Sequence, residues 1–452
     1  MKNQYSVCNL FILLLLLLSF LSFITLTEAI NSKLISSLDP DSELVYSHVR
    51  DSVNQTFREP EGQLLFRYQV PGSYTQLWDW DSVFLGVASA RDFNASSYFI
   101  GSMSNFLSKT NITTGEVKGC LTPQGDSPTL FHAKPILIQG AYLAAKYDNG
   151  NYSFFKQFQA QMQALLTYWD NSTSRIDPKT GLHKWHDQLE SGADNLVLSV
   201  CPSPYSTWCW IESLDAFTLS APDLELFIAR EHLAYSNFLQ KWAAEDKEKD
   251  DDKYNLLIST IETHRVRAKT ISDTVDNLMF TWIDEAQTRG YYGGFNTSTQ
   301  AQITNRIYQA AWPLWSGGTQ NLTLIQLAAR ELFKNDLWSP FGVRSVSNGD
   351  PRYNNDNIIN PYSNWRGPIW INVNSVLAYA LNSQGFIPQA QDLAARIVHT
   401  LAEDLRTTGT WHEAYSSETG EGLAAPGFLS WNTLGATLVR DIVNKFDPFA
   451  ID

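Results

Sequence analysis

Positive charge is scarce in this sequence. Lys and Arg total 33 against 47 Asp and Glu, which gives a formal net charge of −14 and a pI near 5.0. A nucleic-acid binder needs a basic face to meet the phosphate backbone, so nucleic acid is excluded as a partner. Cysteine is scarcer, with four in 452 residues. No C-x-x-C or H-E-x-x-H spacing occurs, and a zinc site has no support. No G-x-S-x-G elbow is present, which removes an α/β-hydrolase nucleophile. Neither G-x-x-x-x-G-K-[ST] nor G-x-G-x-x-G is found, which argues against nucleotide chemistry. Gly 25 and Pro 18 are too few for a collagen-like or linker-dominated chain. Strand-like alternation is sparse.

What is present is a globular composition. Apolar residues make up 44% and charged residues 18%, ample for a core and unlike a disordered chain. The length would allow about three domains, but no composition break calls for a second one. Aromatic content is high at 13%, with Trp 15 and Tyr 19. Tryptophan beside carboxylates is how sugar-binding clefts are lined, because ring faces stack on the apolar faces of pyranoses.

The amino-terminal segment reads as a secretory leader. Lys2 starts it, an apolar run extends from Leu10 to Leu26, and Thr27-Glu28-Ala29 offers small residues where a signal peptidase cuts. Cleavage after Ala29 is expected, leaving 30–452 as one domain in the secretory lumen or outside the cell, with no membrane segment. An uncleaved anchor is the alternative. N-x-S/T sequons at Asn54, Asn94, Asn111, Asn151, Asn171, Asn296 and Asn321 agree with export. Cys8 leaves with the leader, so Cys120, Cys201 and Cys209 allow at most one bridge, between Cys201 and Cys209 or from Cys120 to either.

Helical periodicity dominates the rest. Amphipathic stretches fall at 43–57, 81–92, 95–108, 130–147, 154–170, 222–244, 253–286, 299–314, 321–334, 368–382, 387–406 and 427–445. In 387–406, Ala390, Leu393, Ala394, Ile397, Val398 and Leu401 keep a three-four spacing behind Pro388. The charged run Glu245–Lys253 reads as a solvated helix connection. Long loops rich in Trp, Gly, Asn and acids separate the helices at 72–81, 110–129, 174–210, 288–298, 335–367 and 408–426. Loops of that length are uncommon without a function. A dozen helices with such loops at alternate joints suggest paired helices in a ring, an all-α architecture of two concentric layers with a cleft at one end.

Four loop segments combine carboxylates with aromatic residues: Tyr74–Ser82 (YTQLWDWDS), Trp185–Asn195 (WHDQLESGADN), Asn364–Trp370 (NWRGPIW) and Trp411–Tyr415 (WHEAY). Cleaving a glycosidic bond requires one protonated and one ionised carboxyl across it, and burial against aromatic walls raises a carboxyl pKa. Plainer accounts exist for each segment. Asp79 and Asp81 fit helix caps. Glu190–Asp194 fits a polar turn in which Gly192 takes positive φ. Arg366 fits a structural stack on Trp365, and Glu413 fits a surface carboxylate. His186 and His412 read as supporting groups. Asn354–Asn357 lacks the spacing of a calcium loop and reads as a polar turn. The residues alone do not select the reacting pair.

At these four segments the chain resembles glycoside hydrolase family sixty-three, most closely its mannosylglycerate and glucosylglycerate hydrolases. The shared features are Trp78-Asp79-Trp80-Asp81-Ser82, Glu190-Ser191-Gly192-Ala193-Asp194-Asn195, Trp365-Arg366-Gly367-Pro368-Ile369-Trp370 and His412-Glu413, in family order over nearly the whole mature chain. Family thirty-seven trehalases share a looser version. The resemblance implies an (α/α)6 barrel and hydrolysis with inversion. It maps the general acid to Asp194 and the general base to Glu413. It places Tyr74, Trp78, Trp80, Asp81, Gln124, Trp365, Arg366 and Trp370 around the substrate. Asn364 stands where the family has Tyr, and Leu121–Gly125 departs from its Thr-Gln-Pro-Pro-like loop, so the aglycone is left open. No cofactor or metal is implied.

The leading reading is an exported inverting α-glycoside hydrolase of a small glycoside such as mannosylglycerate or glucosylglycerate. An oligosaccharide α-glucosidase or trehalase-like enzyme is the alternative. A catalytically retired sugar-binding protein is the third, and the intact Asp194 and Glu413 count against it. Oligomeric state is left open.

Overall fold

The computed structural model describes residues 40–125, 131–171, 174–185, 189–196, 219–246, 251–315, 319–359 and 363–451. The leader, Cys201, Cys209, His186 and residues 247–250 of the charged run therefore lie outside the described residues.

Helices α1 (40–52), α2 (Asp79–Asp92), α3 (Ser96–Lys109), α4 (Leu137–Tyr147), α5 (Gln159–Asn171), α6 (Pro222–Asp246), α7 (Asp251–Leu278), α8 (Leu322–Leu332), α9 (Ile371–Ser383), α10 (Ile387–Thr408) and α11 (Leu438–Val443) make up most of the regular structure among the described residues. Two 3-10 segments, Tyr308–Leu314 and Ser430–Ala436, complete the inner layer. That layer closes on itself: α2 packs on α4, α4 on α6, α6 on Tyr308–Leu314, that segment on α9, α9 on Ser430–Ala436, and the last on α2. The outer partners α3, α7, α8 and α10 back α2, α6, Tyr308–Leu314 and α9 in turn. The fold is the (α/α)6 barrel.

Sequence explains which layer each helix joins. Every residue of α4 from Leu137 to Ala145 and of α9 from Ile371 to Asn382 is buried, as inner helices require. The outer α10 buries only one stripe, and all six residues of its expected apolar spacing lie in it. Pro388 stands in its first turn, and Gly409 ends it at φ 76°, a left-handed conformation that suits glycine. Asn321, one of the seven sequon residues, caps α8 by accepting the Leu324 N–H at 3.3 Å.

Several expected helices are shorter or replaced. The stretch 253–286 is helical only to Leu278, because Phe280–Trp282 pairs with Gly290–Tyr292 as a ribbon. The stretch 299–314 is not one helix. Ala301–Ile303 pairs with Gly294–Asn296, and a 3-10 segment holding Pro313 follows. The stretch 130–147 becomes helical only at Leu137, and 427–445 divides into Ser430–Ala436 and α11. In the first two cases a hairpin with the adjoining stretch of chain, Phe280 with Tyr292 and Asn296 with Ala301, overrides the helical pattern. Among the described residues no helix is long and apolar enough to cross a membrane. Cys120 is a buried free thiol.

Candidate active site

The loop that carries Asp194 is anchored on both sides. Upstream, Glu190 is fully buried and takes two hydrogen bonds from Arg175, Nη1 to Oε2 at 2.5 Å and Nη2 to Oε1 at 2.7 Å. The His132 N–H adds a third at 3.3 Å. Gly192 follows at φ 78°, and a Cβ there would lie 2.7 Å from both the Lys134 and Trp80 side chains. Glycine is thus required by conformation and by space. Downstream, Asn195 Oδ1 accepts the Trp365 N–H at 2.6 Å, and its carbonyl accepts Arg366 Nε at 2.8 Å. Asp194 is half-buried between these anchors. Its Oδ2 accepts the Ser363 N–H at 2.8 Å and the Ser363 hydroxyl at 2.7 Å. Removing one partner of a buried pair leaves an uncompensated charge, so Glu190→Ala is expected to lower unfolding free energy by about 3–5 kcal/mol. Urea denaturation of the variant measures this. A midpoint unchanged from the parent would refute the anchoring role.

Glu413 enters from the strand His412–Tyr415, which pairs with Gly422–Pro426 in a register that shifts between His412 and Ala414. The shift is a bulge, with Ala424 at φ 64°, a strained conformation for a residue with a Cβ. It lets the Ala425 N–H reach the Glu413 carboxylate. Glu413 is 9% exposed, so it is no surface carboxylate. The Tyr74 hydroxyl donates to its Oε2 at 2.8 Å. Burial pushes the Glu413 carboxyl up to about 8; the Tyr74 hydrogen bond opposes this, and the charges of Asp81 and Asp194 add to it. Burial also holds the Tyr74 hydroxyl above the ordinary phenol range, so it stays a neutral donor.

Asp81 is the third carboxyl. It lies in the first turn of α2 and accepts the Ser430 hydroxyl at 2.6 Å. Burial raises it to about 7, against the Ser430 hydrogen bond. Neither Asp79 nor Asp81 is the expected cap, since the helix begins at Asp79 behind Trp78 without a side-chain cap; the Asp79 carboxylate accepts the Trp80 N–H at 2.7 Å and also holds Lys134 through the N–H at 2.8 Å and Nζ at 3.2 Å. Lys134 Nζ lies 4.7 Å from the Trp80 ring centroid.

Aromatic rings wall the carboxyls. Trp80 packs against Trp365 at 5.9 Å and Trp431 at 5.6 Å between centroids, and Trp365 stacks on Trp370 at 3.9 Å. Trp365 and Trp370 are 0% and 1% exposed, so other side chains cover their faces in this structure. Trp370 Nε1 donates to the Asn364 carbonyl at 3.1 Å. Trp78 is half-buried, and its Nε1 is buried without a hydrogen-bond partner. Gln124 stands apart from the others, exposed on the turn 122–125 that packs on Gln63. Arg366 holds the Asn195 carbonyl, a different task from the expected stack on Trp365. His412 pairs with Asp404 at 3.0 Å, a supporting contact as expected. Asn354–Asn357 is an irregular segment, not the expected turn, and it ties the loops together: Asn355 accepts from the Ser417 N–H at 2.9 Å and Asn357 from the Ala424 N–H at 2.7 Å. No group of metal-ligating residues is found among the described residues.

Sequence reading missed Arg175, Lys134, Ser363, Ser430 and Trp431. Lys134 carried a faint signal, a lone cation beside Pro135 in an apolar segment. The serines carried none.

Carboxyls set against aromatic walls within an (α/α)6 barrel fit a glycoside hydrolase, and comparison with known proteins agrees. The chain belongs to the family described as the mannosylglycerate hydrolase MGH1-like glycoside hydrolase domain, which it matches over residues 74–431. A family sixty-three mannosylglycerate hydrolase from Thermus thermophilus, solved with glucose, superposes with a TM-score of 0.62 at 19% identity, covering 86% of this chain and 98% of that one. A neutral trehalase from Saccharomyces cerevisiae reaches a TM-score of 0.62 at 17% identity, covering 85% of this chain and 76% of that one. A probable mannosyl-oligosaccharide glucosidase from Schizosaccharomyces pombe is 30% identical over 119 residues, 24% of this chain and 14% of the relative's length.

Proposed function

We propose that this protein hydrolyses the α-glycosidic bond of a small glycoside with inversion, Asp194 acting as general acid and Glu413 as general base. The observation that carries the proposal is the joining of two distant loops. Asp194, held by Ser363, and Glu413, held by Tyr74, come close enough for the charge of one to raise the pKa of the other. Ser363 donates its N–H and hydroxyl to Oδ2 of Asp194 and so fixes the carboxyl that donates a proton to the leaving oxygen. Glu413 then accepts a proton from water on the opposite side of the sugar. Tyr74, Trp78, Trp80 and Asp81 meet the sugar, with Trp365 and Trp370 backing Trp80 as a covered wall. Proton NMR of the anomer first released from α-glucosyl and α-mannosyl substrates tests the proposal; release of the α-anomer would refute inversion.

The opposite assignment has one observation in its favour. Burial protonates Glu413 below about 8, as an acid requires, while Ser363 gives Asp194 the two donors that an ionised base accepts. The family resemblance supports Glu413 as base, and the Tyr74 and Ala425 donors favour its ionised form. The pH profile follows from this role. A base whose pKa is raised gives kcat/KM an acid limb well above the usual carboxylate range. Tyr74→Phe removes a hydrogen bond that lowers the Glu413 pKa of about 8, so the limb is expected to move to higher pH, with activity lost at about pH 8 and regained as pH rises further. A profile that stays in place would refute this coupling.

A second reading of the substrate, an oligosaccharide α-glucosidase, is favoured by the 119-residue match to the glucosidase relative. Rates over glucosylglycerate, mannosylglycerate, trehalose and short α-glucans separate the two. The leader and the seven sequons support export of a glycosylated mature chain. Amino-terminal sequencing of protein recovered from a eukaryotic culture medium, with and without glycan removal, tests it; retention of residues 1–29 would refute cleavage.

A further inference from the structure

The segments that bring the carboxyls together carry almost no positive charge. Residues 74–81, 120–125, 189–196, 363–370, 412–415 and 424–431 contain one Lys or Arg, Arg366, against Asp79, Asp81, Glu190, Asp194 and Glu413. Arg366 is buried and spends Nε on the Asn195 carbonyl. The cations that support these segments from outside are also engaged. Lys134 is paired with Asp79, and Arg175 is closed on Glu190. Arg344 pairs with Glu418 and Arg352 with Asp350 on the loop before Trp365. The neighbouring stretches 126–130, 186–188, 197–218, 316–318 and 360–362, outside the described residues, contain no Lys or Arg in their sequence. Wherever they lie, they bring no permanent cation.

An anionic group entering this site would lose its hydration without gaining a cationic partner, and it would face the one carboxyl that must be ionised for the reaction across a low-dielectric wall. Hydroxyl groups meet the opposite situation, since carboxylates accept their hydrogen bonds. The net charge of −14 acts in the same sense at longer range. We infer that the site takes glycosides whose aglycone is uncharged, a sugar or a polyol, and discriminates against aglycones that carry a carboxylate. This rests on the reading of Asp194 and Glu413 as the hydrolytic pair. It also parts this chain from the Thermus relative, whose named substrate, mannosylglycerate, carries a carboxylate on its aglycone.

The test is a matched pair that differs only in that carboxylate: α-glucosylglycerol against α-glucosylglycerate, with the two α-mannosyl analogues as a second pair. For the full mature protein at physiological salt, kcat/KM is expected to favour the glycerol glycoside about tenfold or more, the scale of a like-charge penalty at a closed site. Equal rates, or a preference for the glycerate, overturn the inference and leave the hydrolase reading standing. If neither pair is cleaved, the hydrolase reading is the one in trouble, and titration calorimetry of the same pairs still decides the charge question. Tighter binding of the glycerol glycoside supports the inference. Its failure to bind, or tighter binding of the glycerate, overturns it.

Discussion

Asp194→Asn is expected to lower kcat on an unactivated α-glycoside by about 10²–10⁴-fold, the usual contribution of a positioned general acid. The same variant should hydrolyse the α-glycosyl fluoride at close to the parent rate, because fluoride departs without a proton. Asparagine keeps an oxygen to accept from the Ser363 N–H and hydroxyl, so the loop that Asn195 and Glu190 anchor should stay in place. An unchanged melting temperature shows that only the proton has been removed. Parent-like turnover of the unactivated glycoside would dismiss Asp194 from the reaction.

Glu413→Gln carries the second large effect. A glutamine cannot take a proton from water, so both the glycoside and the fluoride should lose about 10²–10⁴-fold. Its amide oxygen can still accept the Tyr74 hydroxyl, so the wall around it is kept. The fluoride separates the two roles. If fluoride hydrolysis survives in Glu413→Gln and dies in Asp194→Asn, the assignments are reversed, and the high pKa of Glu413 marks the acid instead. These two variants read with two substrates therefore decide between the roles, which burial and hydrogen bonding in the free enzyme pull in opposite directions.

Much of the fold was legible because helices are local. The stripe from Ala390 to Leu401 and the proline at its start lie within a few residues of one another, and both behave as read. Segments 253–286 and 299–314 misled because their ends fold into hairpins whose three-residue strands are too short to show an alternating period. The site divides the same way. Trp80, Asp81, Glu190, Asp194, Trp365 and Glu413 announced themselves by their company in sequence. Ser363, Ser430, Lys134 and Arg175 are ordinary residues until the chain closes. Ser430 meets Asp81 across 349 positions and Tyr74 meets Glu413 across 339.

By itself the sequence determined the helical class, the aromatic and acidic character of the loops and the absence of a basic surface. All of these follow from composition and short-range spacing. Only the tertiary structure decided which carboxyls share one low-dielectric site, which stay paired with a cation, and which aromatic rings form the wall rather than the open face. Those outcomes depend on burial and on contacts that exist only once the inner ring has closed α2 on the segment Ser430–Ala436.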